Sequence, residues 1–158
     1  MKKLMTMIIL CCLFWGCSSI HDDEMVEYVK VGDRVPAFTV NIIADGKPSI
    51  FSTSQLTGET VIIFFHTSCA DCRRELPRLN DYYLQHSDEP GFQMVAISRA
   101  EGAETIESFW MEHGLQMPYS AQEDRHIYDL FASSVIPRVY FVSAQGIVTR
   151  VLVENLNI

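Results

Sequence analysis

Cysteine is scarce outside the first seventeen residues of the chain. Of the 5 cysteines, three lie at positions 11, 12 and 17, and the other two are Cys69 and Cys72. So few cysteines exclude a domain held together by several disulfides. They also disfavour structural zinc, which takes four ligands, because the 5 histidines are scattered along the chain. We therefore expect no metal and no other cofactor.

An excess of basic residues is also absent, since the formal net charge is −8. This acidity argues against a nucleic-acid partner. The chain contains no internal repeats and no low-complexity segment. With 158 residues and 48% apolar content, it is predicted to form one globular domain around a single core.

The apolar run at residues 4–15 is too short to span a bilayer comfortably. Lys2 and Lys3 precede it, and Gly16 and Cys17 follow it, which is typical of a targeting segment. The arrangement resembles a bacterial lipoprotein signal, in which the cysteine is lipidated and becomes the first residue, although the two residues before Gly16 are bulkier than usual. The alternatives are ordinary secretion with a different cleavage site, or a retained anchor.

These features predict three parts in the chain. Residues 1–16 would be a lipoprotein signal peptide, residues 17–30 a tether, and residues 31–158 the folded domain. In each alternative the domain lies outside the cytosol, in the periplasm or cell envelope, where dithiol chemistry meets disulfide substrates. Lipidation at Cys17 would attach it to a membrane.

The stretch Cys69-Ala70-Asp71-Cys72 lies between an apolar run at residues 61–65 and an amphipathic stretch at residues 73–84. This order predicts a buried strand, a short loop and a helix that begins with the two cysteines. A cysteine at a helix N-terminus faces unpaired N–H groups and the positive end of the helix dipole, and both stabilise a thiolate.

Two residues between cysteines allow one helical turn to bring both sulfurs together. Such a pair can form and break a disulfide by exchange with another protein. Two alternatives are half of a zinc site and a purely structural disulfide. The second is weakened because closing so short a loop adds little stability. Redox activity is the favoured interpretation.

The other predicted elements alternate between strands and helices. Asp45 and Gly46 indicate a hairpin turn, and Gly114 ends a helix that buries Ile106, Phe109 and Trp110. A further helix would bury Ile127, Leu130 and Phe131. In chain order the predictions are strands at 39–42 and 49–52, a helical turn at 54–58, a strand at 92–98, a helix at 104–112, a short strand or turn at 117–119, a helix at 124–131, and antiparallel strands at 138–142 and 147–153. Together they predict a mixed α/β sheet.

Four motifs occur in an order that is more specific than any of them alone. They are Gly32–Phe38, the segment Phe64–Pro77 around the cysteines, Val135-Ile136-Pro137, and Gly146-Ile147-Val148. The set resembles the extracytoplasmic thioredoxin-like oxidoreductases of the TlpA/ResA type over residues 31–153. The resemblance implies a thioredoxin-like fold, with a central mixed β-sheet flanked by helices, an N-terminal β-hairpin, a strand–helix insertion at 99–117 and a shortened C-terminal helix.

The resemblance also implies roles for matching residues. Cys69 would be the attacking thiol and Cys72 the thiol that resolves the mixed disulfide. Pro137 would be a cis proline beside the sulfurs, with the backbone of Ile136 pairing with substrate; the alternative is an ordinary trans proline entering an edge strand. Glu75 could move protons during exchange, or it could be a solvated helix residue.

The sequence departs from the family at several positions near the dithiol. Ser68 replaces the usual tryptophan, and Ile63 lies where thioredoxin has a buried aspartate. His66 could stabilise a thiolate as an imidazolium, or it could serve only the structure of the loop. The candidates for substrate contact are the residues that flank the cysteines, Ser68, Ala70 and Asp71, together with the cis-proline loop.

These features predict a reductant of protein disulfides. The charge of Asp71 disfavours a thiolate at the first cysteine, which lowers the reduction potential. The partners would be a disulfide-containing protein, such as apocytochrome c, a surface protein or another thioredoxin-like protein, and an upstream thiol donor.

Three alternative functions remain open. A peroxiredoxin would carry proline and threonine or serine where this chain has Ile62 and His66. A copper-delivering protein of the same fold would separate its cysteines by three residues rather than two. A binding domain without redox activity is the third alternative.

Overall fold

The computed structural model describes residues 25–158. The predicted signal peptide, Cys17 and the first part of the tether lie outside the described residues. Within residues 25–158, neither helix has the length and apolarity needed to cross a bilayer. The elements are β1 (Thr39–Ala44), β2 (Lys47–Ser52), β3 (Thr60–Phe65), α1 (Ala70–His86), β4 (Gln93–Ser98), α2 (Ala103–His113), β5 (Tyr119–Ser120), β6 (Arg138–Val142) and β7 (Val148–Val153).

The strands form one seven-stranded sheet in the order β2-β1-β5-β4-β3-β6-β7. β3 pairs in parallel with β4 and antiparallel with β6, so the sheet is mixed as predicted. All six residues of β3 are buried, which explains why its sequence is uninterruptedly apolar rather than alternating. The strand that leads to the cysteines is therefore held on both edges and in the centre of the core.

Helix α1 begins directly after Cys69, which is its N-cap residue. Leu76 and Leu79 have no exposed surface and attach the helix to the sheet. Pro77 lies inside the helix and has no N–H to donate, yet the helix continues to His86. The prediction of a helix that opens at the two cysteines is confirmed.

Helix α2 packs on the end of the sheet at which β3 leads into the loop before Cys69. Ile106, Phe109 and Trp110 are buried as predicted, and the Trp110 ring lies 5.1 Å from the ring of Phe65 at the end of β3. Gly114 ends the helix in the left-handed conformation. The predicted strand–helix insertion at 99–117 thus consists of α2 and the loop that leads to β5.

The predicted hairpin is also present. β1 and β2 pair antiparallel across Asp45 and Gly46, which have φ values of 51° and 69°. Two successive positive φ values are typical of the turn that joins two twisted antiparallel strands.

The predicted helix at 124–131 is wrong. Only Tyr128–Leu130 forms a short 3-10 helix, and Leu130 is 43% exposed, whereas Tyr128 and Phe131 are buried. The Phe131 carbonyl accepts hydrogen bonds from the N–H groups of Tyr28 and Val29. The Asp124 carbonyl, which would be the first acceptor of the predicted helix, accepts instead from the Ala100 N–H over 3.0 Å. The N–H groups of Leu130 and Phe131 donate to carbonyls three residues earlier, as in a 3-10 helix.

The predicted helical turn at 54–58 is wrong as well, since this segment is a non-helical turn. Ser54 makes hydrogen bonds to the hydroxyl of Ser52, and the Thr57 hydroxyl donates to the Gly91 carbonyl over 3.3 Å. Hydroxyl side chains of this kind compete with helical hydrogen bonding in a short segment.

Both ends of the described chain differ from a simple tether and tail. Val29 is 4% exposed, so part of the predicted tether packs on the domain. In the described residues after β7, positions 154–158, there is no helix.

Candidate active site

The dithiol lies where β3 ends and α1 begins. The Cys69 N–H donates to the His66 carbonyl over 3.1 Å, which closes a tight turn between the two elements. The Cys69 sulfur accepts from the N–H of Cys72 over 3.4 Å. The sulfur therefore takes the place of an N-cap oxygen, at the end of the helix where negative charge is stabilised.

The two thiols have different environments. Cys69 is partly exposed, whereas Cys72 has no exposed surface. Burial raises the pKa of the Cys72 thiol, and the neighbouring Cys69 adds to this effect, while the His66 N–H and the charge of Arg99 oppose it. Because the thiolate is the nucleophile, Cys69 is suited to attack a partner and Cys72 is held as a thiol in reserve.

The loop before β6 lies against the exposed sulfur. The Ile136–Pro137 peptide bond is cis, as the resemblance implied. The Cys69 thiol lies 3.6 Å from the carbonyl oxygen of Ile136. The tertiary structure thus brings together residues separated by 67 positions in the sequence.

Glu75 is not a solvated residue, because only 1% of it is exposed. One carboxylate oxygen accepts from Arg74 Nε over 3.0 Å, and the other accepts from an Arg78 guanidinium nitrogen over 2.8 Å. Glu75 lies three residues after Cys72, on the same buried side of α1. Residues at this spacing are neighbours on a helix.

Asp71, between the cysteines, is paired with Arg74. A carboxylate oxygen of Asp71 lies 2.7 Å from a guanidinium nitrogen of Arg74, and both side chains are about half exposed. The hydrogen bonds to Asp71 and to Glu75 raise the pKa of Arg74. The negative charge beside the first cysteine is therefore partly balanced by its own helix.

His66 orders the loop before the first cysteine. Its Nδ1 atom accepts from the Ser68 N–H over 3.1 Å and lies 2.9 Å from the Ser68 hydroxyl. An imidazole nitrogen that accepts from a backbone N–H carries no proton itself. This arrangement favours the alternative in which His66 serves the structure of the loop.

Glu101, which no motif in the sequence indicated, is a further residue of the site and is 8% exposed. It accepts from the Thr67 N–H over 2.8 Å and from the Thr67 hydroxyl, and it lies 3.7 Å from His66 Nδ1. β3 and β4 are adjacent parallel strands, so their carboxyl ends meet at one edge of the sheet. The sequence signal that could have identified Glu101 is therefore its position: it is an acidic residue shortly after β4, which is the strand beside β3.

A groove runs beside the loop and is lined by polar and charged side chains. Ser68 and Arg73 line it from the dithiol side, and Glu104, Phe109 and Glu112 line it from α2.

The fold and the site define a class of protein: a thioredoxin-like domain with two cysteines at the start of its first long helix. A family model described as the AhpC/TSA family matches residues 31–151, and the chain belongs to this family.

Among curated proteins, the chain is similar to two bacterial thiol-disulfide oxidoreductases named ResA. It is 26% identical over 154 residues to the one from Oceanobacillus iheyensis, which covers 96% of this chain and 78% of that protein. It is 25% identical over 131 residues to the one from Bacillus subtilis, which covers 82% of this chain and 71% of that protein.

Two solved structures share the fold. A candidate protein disulfide isomerase from Bacteroides thetaiotaomicron has a TM-score of 0.73 and 25% identity, covering 82% of each chain. A thiol:disulfide interchange protein from Chlorobium tepidum has a TM-score of 0.64 and 24% identity, covering 78% of this chain and 86% of that chain. The thioredoxin-like fold and the class of thiol-disulfide oxidoreductase of the TlpA/ResA type are thereby confirmed.

Proposed function

We propose that this oxidoreductase is an extracytoplasmic, lipid-anchored reductant of disulfides in other proteins. The observation that carries the proposed exchange activity is the asymmetry of the dithiol. Cys69 is accessible, lies at a helix N-terminus and is 3.6 Å from the Ile136 carbonyl, whereas Cys72 is buried.

In the proposed reaction, the Cys69 thiolate attacks one sulfur of a substrate disulfide. A mixed disulfide forms, and the other substrate sulfur leaves as a thiolate that takes up a proton. Cys72 then loses its proton and attacks the Cys69 sulfur, which releases the second substrate thiol. Two electrons pass to the substrate, the dithiol becomes a disulfide, and an upstream thiol donor restores it.

The second step requires a proton acceptor, because burial raises the pKa of Cys72. We assign this role to Glu75, the buried carboxylate one helical turn further along α1. Its two arginine partners hold the carboxylate on the helix that carries the thiol.

Substrate would bind across the cis-proline loop. An extended strand could pair with the backbone of Ile136, beside Pro137, while Ser68, Ala70 and Asp71 contact the residues around its cysteine. Pairing through the main chain suits varied proteins, since it requires no particular side chain.

The location outside the cytosol rests on the sequence of the first seventeen residues. Cys17 would carry the lipid, and residues 18–24 would connect it to the part of the chain around Val29 that packs on the domain. Labelling with a fatty-acid analogue should modify the wild-type chain and not Cys17→Ala. If both are labelled equally, this part of the proposal is wrong.

The main test is reduction of insulin disulfides by the pre-reduced protein. Activity should be lost in Cys69→Ser, and Cys72→Ser should accumulate a mixed disulfide with its substrate. Identifying the protein captured by Cys72→Ser in envelope extracts would name the partner. Insulin reduction that persists in Cys69→Ser would contradict the proposal.

The same protein preparation distinguishes a peroxiredoxin. Thiol-dependent consumption of hydrogen peroxide should stay at the background rate, because His66 occupies the position at which peroxiredoxins have threonine or serine. Fast peroxide consumption that depends on Cys69 would reverse the assignment.

A further inference from the structure

Arg138 follows Pro137 and has no exposed surface although it is charged. Its guanidinium donates to a carboxylate oxygen of Glu27 over 2.7 Å. It also lies 3.3 Å from the Ser134 carbonyl oxygen and 3.5 Å from that of Val135. Since a buried charge is tolerated only when it is paired and hydrogen-bonded, these contacts hold Arg138 in the core.

The loop that Arg138 contacts has an unusual backbone. Val135 has a φ of 73°, a left-handed conformation that a β-branched residue rarely adopts. The Val135 carbonyl also accepts from the Tyr128 hydroxyl over 2.9 Å. Such a conformation persists where the surrounding contacts enforce it. The phenol and the guanidinium together fix the carbonyl immediately before Ile136.

Glu27 comes from a distant part of the chain. It forms an antiparallel bridge with Ala132, and its neighbour Val26 exchanges two hydrogen bonds with Ser133. The Val26 N–H donates to the Ser133 hydroxyl over 2.9 Å, and the Val26 carbonyl accepts from the Ser133 N–H over 3.0 Å. The Glu27 side chain is 32% exposed and so is reached by solvent, unlike its partner.

We propose that Glu27 and Arg138 are positioning residues for substrate. Their ion pair sets the conformation of residues 134–136 and thereby the backbone edge at Ile136 with which an extended protein substrate pairs. The proposal rests on the proposed function, because it concerns the substrate edge of the same site. It adds that the N-terminal segment, through Glu27, is part of that edge.

This role predicts a difference between substrates. A protein disulfide needs both the sulfur of Cys69 and the edge at Ile136, whereas a small disulfide needs only the sulfur. Disturbing the ion pair should therefore weaken binding of proteins and leave the reaction with small disulfides unchanged.

The test uses the pre-reduced full chain with insulin and with 2-hydroxyethyl disulfide, each over a range of concentrations. In Glu27→Gln the half-saturating concentration of insulin should rise roughly five- to tenfold, the effect expected of losing one charge-assisted hydrogen bond. The maximal rate with insulin and the rate with 2-hydroxyethyl disulfide should stay as in wild type. Arg138→Lys should behave in the same way, because lysine keeps the charge and loses the fork that reaches the two carbonyls.

The matched control is Glu89→Gln, which removes the same charge from an exposed side chain beside His86. This variant should change neither the half-saturating concentration of insulin nor the rate with 2-hydroxyethyl disulfide. Circular dichroism verifies that each variant is folded. If Arg138→Lys unfolds, the result for Glu27→Gln decides the outcome, because glutamine keeps an oxygen that can accept from Arg138.

Equal loss with both substrates would overturn the proposal, because the pair would then act on the dithiol itself. Unchanged kinetics with insulin in folded Glu27→Gln would overturn it as well. Failure of the proposed function is a separate result, in which the wild-type protein reduces neither substrate.

Discussion

The Glu101 carboxylate accepts two hydrogen bonds from Thr67, one from its N–H over 2.8 Å and one from its hydroxyl. This contact joins the loop after β4 to the loop after β3, two residues before Cys69. The loop that leads to Cys69 is therefore anchored by a buried carboxylate that lies 34 positions beyond Thr67 in the chain.

Replacing Glu101 with alanine should remove both acceptors and leave the buried Thr67 N–H without a partner. An unsatisfied buried group of this kind costs about 1–3 kcal/mol. We expect the free energy of unfolding in urea to fall by that amount and the alkylation rate of Cys69 by iodoacetamide to change. The control is Glu104→Ala, an exposed residue on α2, which should do neither. Equal stability of the two variants would show that the contact with Thr67 contributes nothing.

The buried thiol should make the reduced protein less stable at alkaline pH. Burial raises the pKa of Cys72 in the folded state, whereas an unfolded cysteine has a pKa of about 8.5. Above that pH the unfolded chain releases a proton that the folded chain keeps, so the free energy of unfolding falls by up to about 1.4 kcal/mol per pH unit.

Comparison with Cys72→Ala isolates this effect, since all other titrating groups are shared. Urea unfolding of both reduced proteins at a series of pH values from neutral to alkaline should show the extra loss in wild type only. Parallel curves for the two proteins would mean that Cys72 ionises normally in the folded state.

The reduction potential should lie below that of glutathione. Asp71 places negative charge beside Cys69 and disfavours its thiolate, although Arg74 offsets part of the charge. Equilibration with reduced and oxidised glutathione measures the potential. Asp71→Asn should raise it by about 20 mV or less, because an exposed charge contributes under about 1 kcal/mol.

Asp81→Asn is the control for this measurement, since Asp81 is exposed further along the same helix. It should leave the potential unchanged. A wild-type potential above that of glutathione would identify an oxidant instead of a reductant.

Glu75→Gln should slow the second step of exchange, because the amide cannot take the Cys72 proton. We expect the mixed disulfide with substrate to accumulate in this variant, as seen by non-reducing gel electrophoresis and mass spectrometry. The delay should shrink as the pH rises, since hydroxide then removes the proton without help.

Arg78→Gln provides the comparison, because it removes one partner of Glu75 and keeps the carboxylate. It should resolve the mixed disulfide faster than Glu75→Gln. If the two variants differ from wild type only in stability, Glu75 is a structural residue and the proton acceptor lies elsewhere.

The elements that follow from nearby residues alone could be predicted from the sequence. An unbroken apolar run gave β3, helical spacing of Leu76 and Leu79 gave α1, and Gly114 marked the end of α2. In each case the physical cause lies within a few residues of the element, in side-chain periodicity or a capping residue.

The predicted helix at 124–131 does not form, although its apolar residues have helical spacing. The reason is that a backbone carbonyl of the segment is hydrogen-bonded to a residue outside it. The Asp124 carbonyl, which would be the first acceptor of that helix, is bound by the N–H of Ala100, 24 positions earlier. A periodic pattern cannot reveal a hydrogen bond to a distant segment.

By itself the sequence determined that a Cys-x-x-Cys pair opens a helix that follows a buried strand. Spacing and periodicity decide that, because one helical turn places the two sulfurs together. Only the tertiary structure decided which groups support the loops beside them: the Glu101 carboxylate binds Thr67, and the buried Arg138 binds the carbonyls that precede Ile136. Those contacts arise where strand ends meet at one edge of the sheet, and the order of strands in a sheet follows from packing the whole core.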